Sequence, residues 1–277
     1  MESPHRKTRR RGRLLLAAAF AGVLTAGGVT ALANAAPADQ PAAASEAART
    51  GSVVEIPTAT ADEVVEETIE ITEDFDGGGT RYIPGDGLGG GDQGEDQEAV
   101  FEVSDGATLS NVIIGSPGAD GIHCEGDCTL ENVYWEDVGE DAATFRNGST
   151  YNVVGGGAVG AEDKVLQFNG GGTLNISGFA AEDFGTMVRS CGNCDEMPQR
   201  NIVLDGVTVT APGNTIAGIN ENYGDTATFN NITIVGDDEM TVCQRYIGND
   251  SGDEPEESGS GPDGTHCLYD ESDISYQ

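Results

Sequence analysis

The sequence predicts an all-β chain folded as a single-domain right-handed parallel β-helix, on three observations. From Val53 onward short β-rich runs alternate with turns full of Gly, Asp and Asn; sustained helical periodicity is missing; and one β unit recurs along the chain. The unit is an apolar residue, a polar break at Asn or Gly, then a second apolar run. It reads TLSNVII (108–114), TLENVYW (129–135), STYNVVG (149–155), TLNISGF (173–179), VLDGVTV (203–209) and TFNNITI (228–234). Anchored on Asn111, Asn132, Asn152, Gly178, Gly206 and Asn231, the steps are 21, 20, 26, 28 and 25 residues. Such uneven steps suit a solenoid whose rungs carry loops of variable length. A leucine-rich repeat is disfavoured because the L-x-x-L-x-L signature and helical returns are absent. A β-sandwich is the structural alternative, since short strands with turn signals also fit it.

Ahead of the repeats the chain is organised for export. A basic stretch (Arg6, Lys7, Arg9, Arg10, Arg11, Arg13) precedes a small, apolar run from Leu14 to Leu32 and then Ala33-Asn34-Ala35. A charged n-region, an apolar h-region and a small-x-small site make residues 1–35 a signal peptide cleaved after Ala35. A retained membrane anchor is the competing reading, because the apolar run is nearly long enough to span. Residues 36–52, rich in Ala and Pro, read as a disordered lead-in, and 53–277 as the β-helix domain. The expected location is extracellular, with no membrane contact after cleavage and a monomeric chain.

Charge narrows the function. The 277 residues carry 13 basic and 48 acidic side chains, a formal net charge of -35. Removing residues 1–35 takes away six basic residues and one acid, which leaves seven against 47, a charge near -40. That balance excludes nucleic acid, whose phosphates need a basic surface. It would also repel a polyanionic substrate at long range unless salt screens the repulsion. Acidic clusters, on the other hand, bind calcium.

The six cysteines fall in three close pairs, Cys124 with Cys128, Cys191 with Cys194 and Cys243 with Cys267. Export favours disulfides over zinc, and six cysteines allow 15 connectivities. The nearest-neighbour pairing is the expectation; strain in the short C-G-N-C loop at 191–194 would favour its staying reduced. The acidic segment at about 249–265, NDSGDEPEESGSGPDGT, reads as a flexible loop tied at its base by Cys243 and Cys267.

In a β-helix, residues one rung apart in sequence become neighbours. Asp120 stands 20 and 21 positions before Glu140 and Asp141; Lys164 follows Asp141 by 23, and Arg189 follows Lys164 by 25. Three carboxylates and two cations are therefore expected on one face. Lys164 is the only lysine beyond the leader. A lysine shielded from solvent and held near other cations has a lowered pKa and can accept a proton. Paired on a surface with Glu162 or Asp163, it would be merely structural.

These blocks, GADGIHCEGDCTLENVYWEDVGEDAATF, GGGAVGAEDKVLQFNGGGTLNISGF and FGTMVRSCGNC, resemble the pectate lyases of polysaccharide lyase family 3. The resemblance runs from about residue 75 to about residue 235. It implies a secreted, calcium-dependent enzyme that cleaves α-1,4-polygalacturonate by β-elimination to 4,5-unsaturated oligogalacturonides. The C5 proton lies α to a carboxylate, so its removal builds an enolate-like charge that a Ca²⁺ with several oxygen ligands can neutralise. The family's calcium ligands fall on Asp120, Glu140 and Asp141, and its catalytic cations on Lys164 and Arg189. Lys164 is assigned as the base, with Arg189 on the substrate carboxylate or developing anion; the reverse assignment stays open.

Two positions depart from the family pattern. Thr186 stands where a second lysine is common, and Phe168 follows Gln167 where histidine is common. With Asp163 these are the candidate substrate-binding positions, Phe168 by stacking on a sugar face. The alternative function is a catalytically impaired acidic β-helix that binds pectin through calcium. A hydrolase would need an acid and a base at set spacing. Glu140 and Asp141, as adjacent strand residues, are expected on opposite faces and so unable to supply them. His123 reads as a turn or packing residue, and Tyr134 and Trp135 as core or sugar platform.

Overall fold

Three ladders of parallel strands, visited in turn by one chain, make up the computed structural model, which describes residues 54–91, 93–94 and 97–277. The expected signal peptide and lead-in lie outside the described residues. Strand Ala61–Val65 opens the first ladder, Ile69–Ile71 the second, and Phe75–Pro84 begins in the third and runs on into the first. Thr108–Ile114 and Cys128–Trp135 repeat that bend between third and first. Further along, Gly157–Phe168, Ala180–Ser190 and Thr208–Asn220 instead carry the first ladder into the second. This is a parallel β-helix, and the hand such parallel crossovers take is right-handed.

The repeat in the sequence is a repeat of corners. Asn111, Asn132, Gly178, Gly206 and Asn231 all have φ between 52° and 65°, the left-handed region that Gly and Asn tolerate best. Asn152 is the exception. It lies inside strand Thr150–Val154, and Gly155, at φ 65°, makes that rung's corner. The side chain of Asn132 donates to Asn111 Oδ1 at 3.4 Å, and that of Asn111 donates to Asp76 Oδ1 at 2.9 Å, so corners are stacked as well as bent.

Between corners, residues in register bury one apolar file per ladder. Leu109, Leu130, Val153, Ile176, Leu204 and Phe229 succeed one another through the third ladder, each at most 1% exposed. Phe101, Ile122, Ala143, Leu166, Val188 and Ala217 do so through the second. At about 25 cal/mol per Å² of apolar surface removed from water, these files supply the main stabilisation. Trp135 joins this interior, edge-on to Phe179, and is core rather than sugar platform.

All three cysteine pairs are disulfide-bonded as the nearest-neighbour reading expects, Cys191–Cys194 included. The acidic segment, read from composition as loop throughout, carries a short strand. Glu256–Ser260 returns as an antiparallel strand on Thr241–Ile247, and Asn249 Oδ1 accepts backbone N–H bonds from Ser251 and Asp253, both at 3.1 Å. Its composition lacks apolar residues because it pairs through its backbone at the edge of a sheet. No helix among the described residues is long and apolar enough to cross a membrane.

Candidate active site

Successive rungs of the second ladder build the site. Asp120 precedes Gly121, whose φ is +50°; a Cβ there would come within 2.6 Å of the Asp141 carbonyl oxygen. A glycine at 121 is thus what lets the rung of Asp120 lie against that of Asp141. Asp141 opens strand Asp141–Phe145 and pairs in register with Lys164, which pairs in turn with Thr186. Ligand atoms of Asp120, Glu140 and Asp141 all lie within 4.8 Å of one another. The opposite-face argument for Glu140 and Asp141 is thereby overturned. Glu140 sits in the bend before the strand, where the two-residue alternation of a strand does not apply.

Charge is concentrated and dehydrated here. Asp120 and Asp141 are 5% and 4% exposed. Asp120 Oδ1 is buried without a hydrogen-bond partner, and Asp141 Oδ1 has only the Lys164 ammonium, 3.5 Å away. Burial pushes the Asp141 carboxyl up to about 7; Lys164 opposes that rise, and Asp120, Glu140 and Asp163 add to it. Three carboxylates converging on one spot, with buried oxygens short of donors, form an oxygen-ligand set of the kind hard divalent cations take. A second convergence, Glu102, His123 and Glu125, lies alongside.

Lys164 is mostly buried and donates to Asp163 Oδ2 at 2.6 Å. Burial lowers its pKa, but Asp141 and Asp163 outweigh burial and hold it above the ordinary lysine value. The lowered value expected from sequence is therefore not that of the side chains by themselves. The neighbours of Lys164 are carboxylates, and each favours the ammonium.

A cleft of about 310 Å³ is lined by Asp120, Glu140, Asp141, Lys164, Gln167 and Arg146, among others. An adjoining cavity of about 550 Å³ shares Arg146, Asn169 and Cys194 with it. Arg189 lines neither. It pairs in register with Gln167, but its guanidinium lies 4.0 Å from the Tyr246 ring centroid and donates to the Ser190 carbonyl at 2.5 Å and to Asn220 Oδ1 at 3.3 Å. Burial lowers its pKa, with Tyr246 and Asp225 acting in the other direction.

Of the expected substrate contacts, Phe168 is corrected outright. It is fully buried, edge-on to Tyr151, between Phe145 and Ser190 in register, so its ring cannot reach a sugar. Asp163 is engaged with Lys164, and Thr186 stands one rung beyond Lys164 without lining the cleft. Sequence reasoning missed Arg146, the cation common to both cavities, which pairs with Glu125 Oε1 at 3.3 Å. The rung spacing could have found it: Glu125 precedes it by 21 residues and His123 by 23.

With this geometry in hand, the comparisons agree. The family model described as Pectate lyase matches residues 53–253. Pectate lyase H of Emericella nidulans is 50% identical over 219 residues, covering 78% of this chain and 83% of the relative. Probable pectate lyase D of the same fungus is 50% identical over 204 residues, covering 73% and 76%. Among solved structures, the catalytic domain of pectate lyase PelI from Erwinia chrysanthemi superposes with a TM-score of 0.69 at 34% identity, covering 78% of this chain and 100% of that one. PelI in complex with tetragalacturonic acid gives 0.66 at 35%, covering 77% and 70%.

Proposed function

The chain belongs to the pectate lyase family, and from that premise we propose that it cleaves α-1,4-polygalacturonate by β-elimination with calcium held by Asp120, Glu140 and Asp141. The observation that carries this reading is the convergence of those carboxylates beside Lys164, with Asp120 Oδ1 buried and lacking a partner. Calcium, held by these carboxylates, would supply Lewis-acid stabilisation of the charge that develops on the substrate carboxylate. Burial lowers the Lys164 pKa while Asp141 and Asp163 raise it, and a cation held on Asp141 would weaken the share that Asp141 contributes to that rise. Lys164 then takes the C5 proton. The electron pair left on C5 closes the C4–C5 double bond as the glycosidic oxygen departs from C4 with its bonding pair and takes a proton from water, leaving a 4,5-unsaturated end and a new hydroxyl end.

Arg146 is the cation that meets a substrate carboxylate at the junction of the two cavities, the duty for which Thr186 lacks the charge. Arg189 pairs in register with Gln167, but its guanidinium rests on Tyr246 outside both cavities, so the carboxylate-binding duty falls to Arg146. Export by the signal peptide over residues 1–35 delivers the enzyme to an extracellular polymer, and N-terminal sequencing of secreted protein, expected to begin at Ala36, checks it.

The test is the ultraviolet absorbance of the unsaturated product during incubation with polygalacturonate, with calcium, with chelator, and with Lys164→Ala. Signal that needs calcium and falls about 10²-fold or more in the variant is expected. A variant within a few-fold of wild type would remove Lys164 from the chemistry; signal indifferent to chelator would remove calcium.

A further inference from the structure

Asp120 and His123 form one buried unit beside the site. His123 Nε2 lies 2.6 Å from Asp120 Oδ2, and the two side chains are 7% and 8% exposed. A carboxylate can only accept, so the ring nitrogen at that distance carries the hydrogen and donates. Arg146 Nη2 is 3.1 Å from the same nitrogen, which cannot accept from it while donating to Asp120; Arg146 is held instead through Nη1, which donates to Glu125 Oε1 at 3.3 Å. With Oδ2 committed to His123, the other oxygen, Oδ1, is left buried and without a partner within the Asp120, Glu140 and Asp141 cluster. His123 itself is fixed by its strand, Ile122–Cys124, whose register runs from Glu102 through His123 to Thr144, and by the disulfide at Cys124.

We infer that His123 is a positioning residue, which locks the Asp120 carboxylate by one oxygen so that the other faces the cation site. This rests on the reading that the acid cluster holds calcium. It goes beyond that reading by assigning the affinity of the cluster in part to a residue that is neither a ligand nor a base. Outer partners that orient a ligand typically affect metal affinity 10- to 100-fold.

Two polar variants of similar character but different reach test it. The amide nitrogen of His123→Gln overlies Nε2 and still reaches Asp120, whereas that of His123→Asn overlies Nδ1 and falls short. Calcium is titrated calorimetrically into the full protein, and melting curves establish that each variant folds. His123→Gln is expected to bind calcium within about threefold of wild type and His123→Asn about 10- to 100-fold more weakly. On polygalacturonate, the His123→Asn enzyme is expected to recover near wild-type turnover once calcium is saturating, which a lost base would not allow. Equal calcium affinity in the Asn and Gln variants overturns the inference, as does turnover that stays low at saturating calcium. Should His123→Asn fail to fold, the Gln variant decides: affinity loss of tenfold or more in it, despite a retained donor, overturns the inference. Absence of calcium binding in wild type overturns the underlying reading of the acid cluster instead, and so separates the two failures.

Discussion

Asp263 accepts backbone N–H bonds from Thr265, His266 and Cys267 at 2.8 to 3.0 Å and pairs with Arg245 at 3.1 Å. Burial alone would raise its carboxyl pKa, but those donors and the Arg245 cation outweigh burial and hold it at about 2. Its folded value lies below its unfolded one, so the stability it contributes is present above about pH 4 and is lost as pH falls through about 2. After allowance for solvent screening, Asp263→Asn should cost about 1 kcal/mol at neutral pH. Thermal melts across the acid range should show the gap between variant and wild type closing toward about pH 2; a gap independent of pH would refute the assignment. Arg146 gives a second prediction at this scale. If it binds substrate equally in ground and transition states, Arg146→Ala raises KM for polygalacturonate about tenfold with kcat nearly unchanged. Steady-state kinetics decide, and a fall in kcat alone would move Arg146 into the chemical step. Lys164 was conspicuous in the sequence as a lone lysine, whereas Arg146 was one arginine among several, and only its neighbours distinguish it.

At the scale of elements, the corner residues carry the repeat. Asn132 sits at φ 52°, where a Cβ costs about 1 to 2 kcal/mol unless the side chain bonds locally. Asn132→Ala should lower unfolding free energy by about 1 kcal/mol or more, while Asn132→Gly should stay within a few tenths of that of wild type. Denaturant titration of both variants checks this, and equal losses would assign the cost to the Asn111 hydrogen bond instead of the backbone. The corner at Gly155 explains one error of register. Asn152 lies in STYNVVG as the other asparagines lie in their repeats, yet its rung places Val153 in the buried file and turns two residues later. Local pattern cannot settle such a shift when both registers offer a Gly or Asn.

Over the whole molecule, a cleft meant for a polyanion belongs to a chain with a formal charge of -35, or near -40 without residues 1–35. Long-range repulsion should therefore dominate encounter at low salt, in spite of Lys164 and Arg146 within the cleft. Raising monovalent salt from about 0.01 M to about 0.15 M, where the screening length falls from about 30 to about 8 Å, should lower KM for polygalacturonate at saturating calcium. A rise in KM would instead mark a local cationic field as the governing term. The disulfide between Cys243 and Cys267 closes the last rungs together across 24 residues of sequence. Replacing both cysteines by serine should cost about 3 kcal/mol and show as a lower melting temperature.

The sequence by itself indicated the β-helix, a nearest-neighbour pairing of the cysteines and the rung-to-rung adjacency of Asp120, Asp141 and Lys164. All three follow from spacing, and a period of one rung converts spacing into adjacency whatever the side chains do. It could not determine which way side chains turn at adjacent positions. Phe168 enters the core, Arg189 lies on Tyr246 instead of in the cleft, and Glu256–Ser260 within the acidic segment forms a strand. Those outcomes belonged to the tertiary structure, because each depends on a partner far away in sequence: Tyr151 for the ring, Tyr246 and Asn220 for the guanidinium, and the backbone of Thr241–Ile247 for the strand.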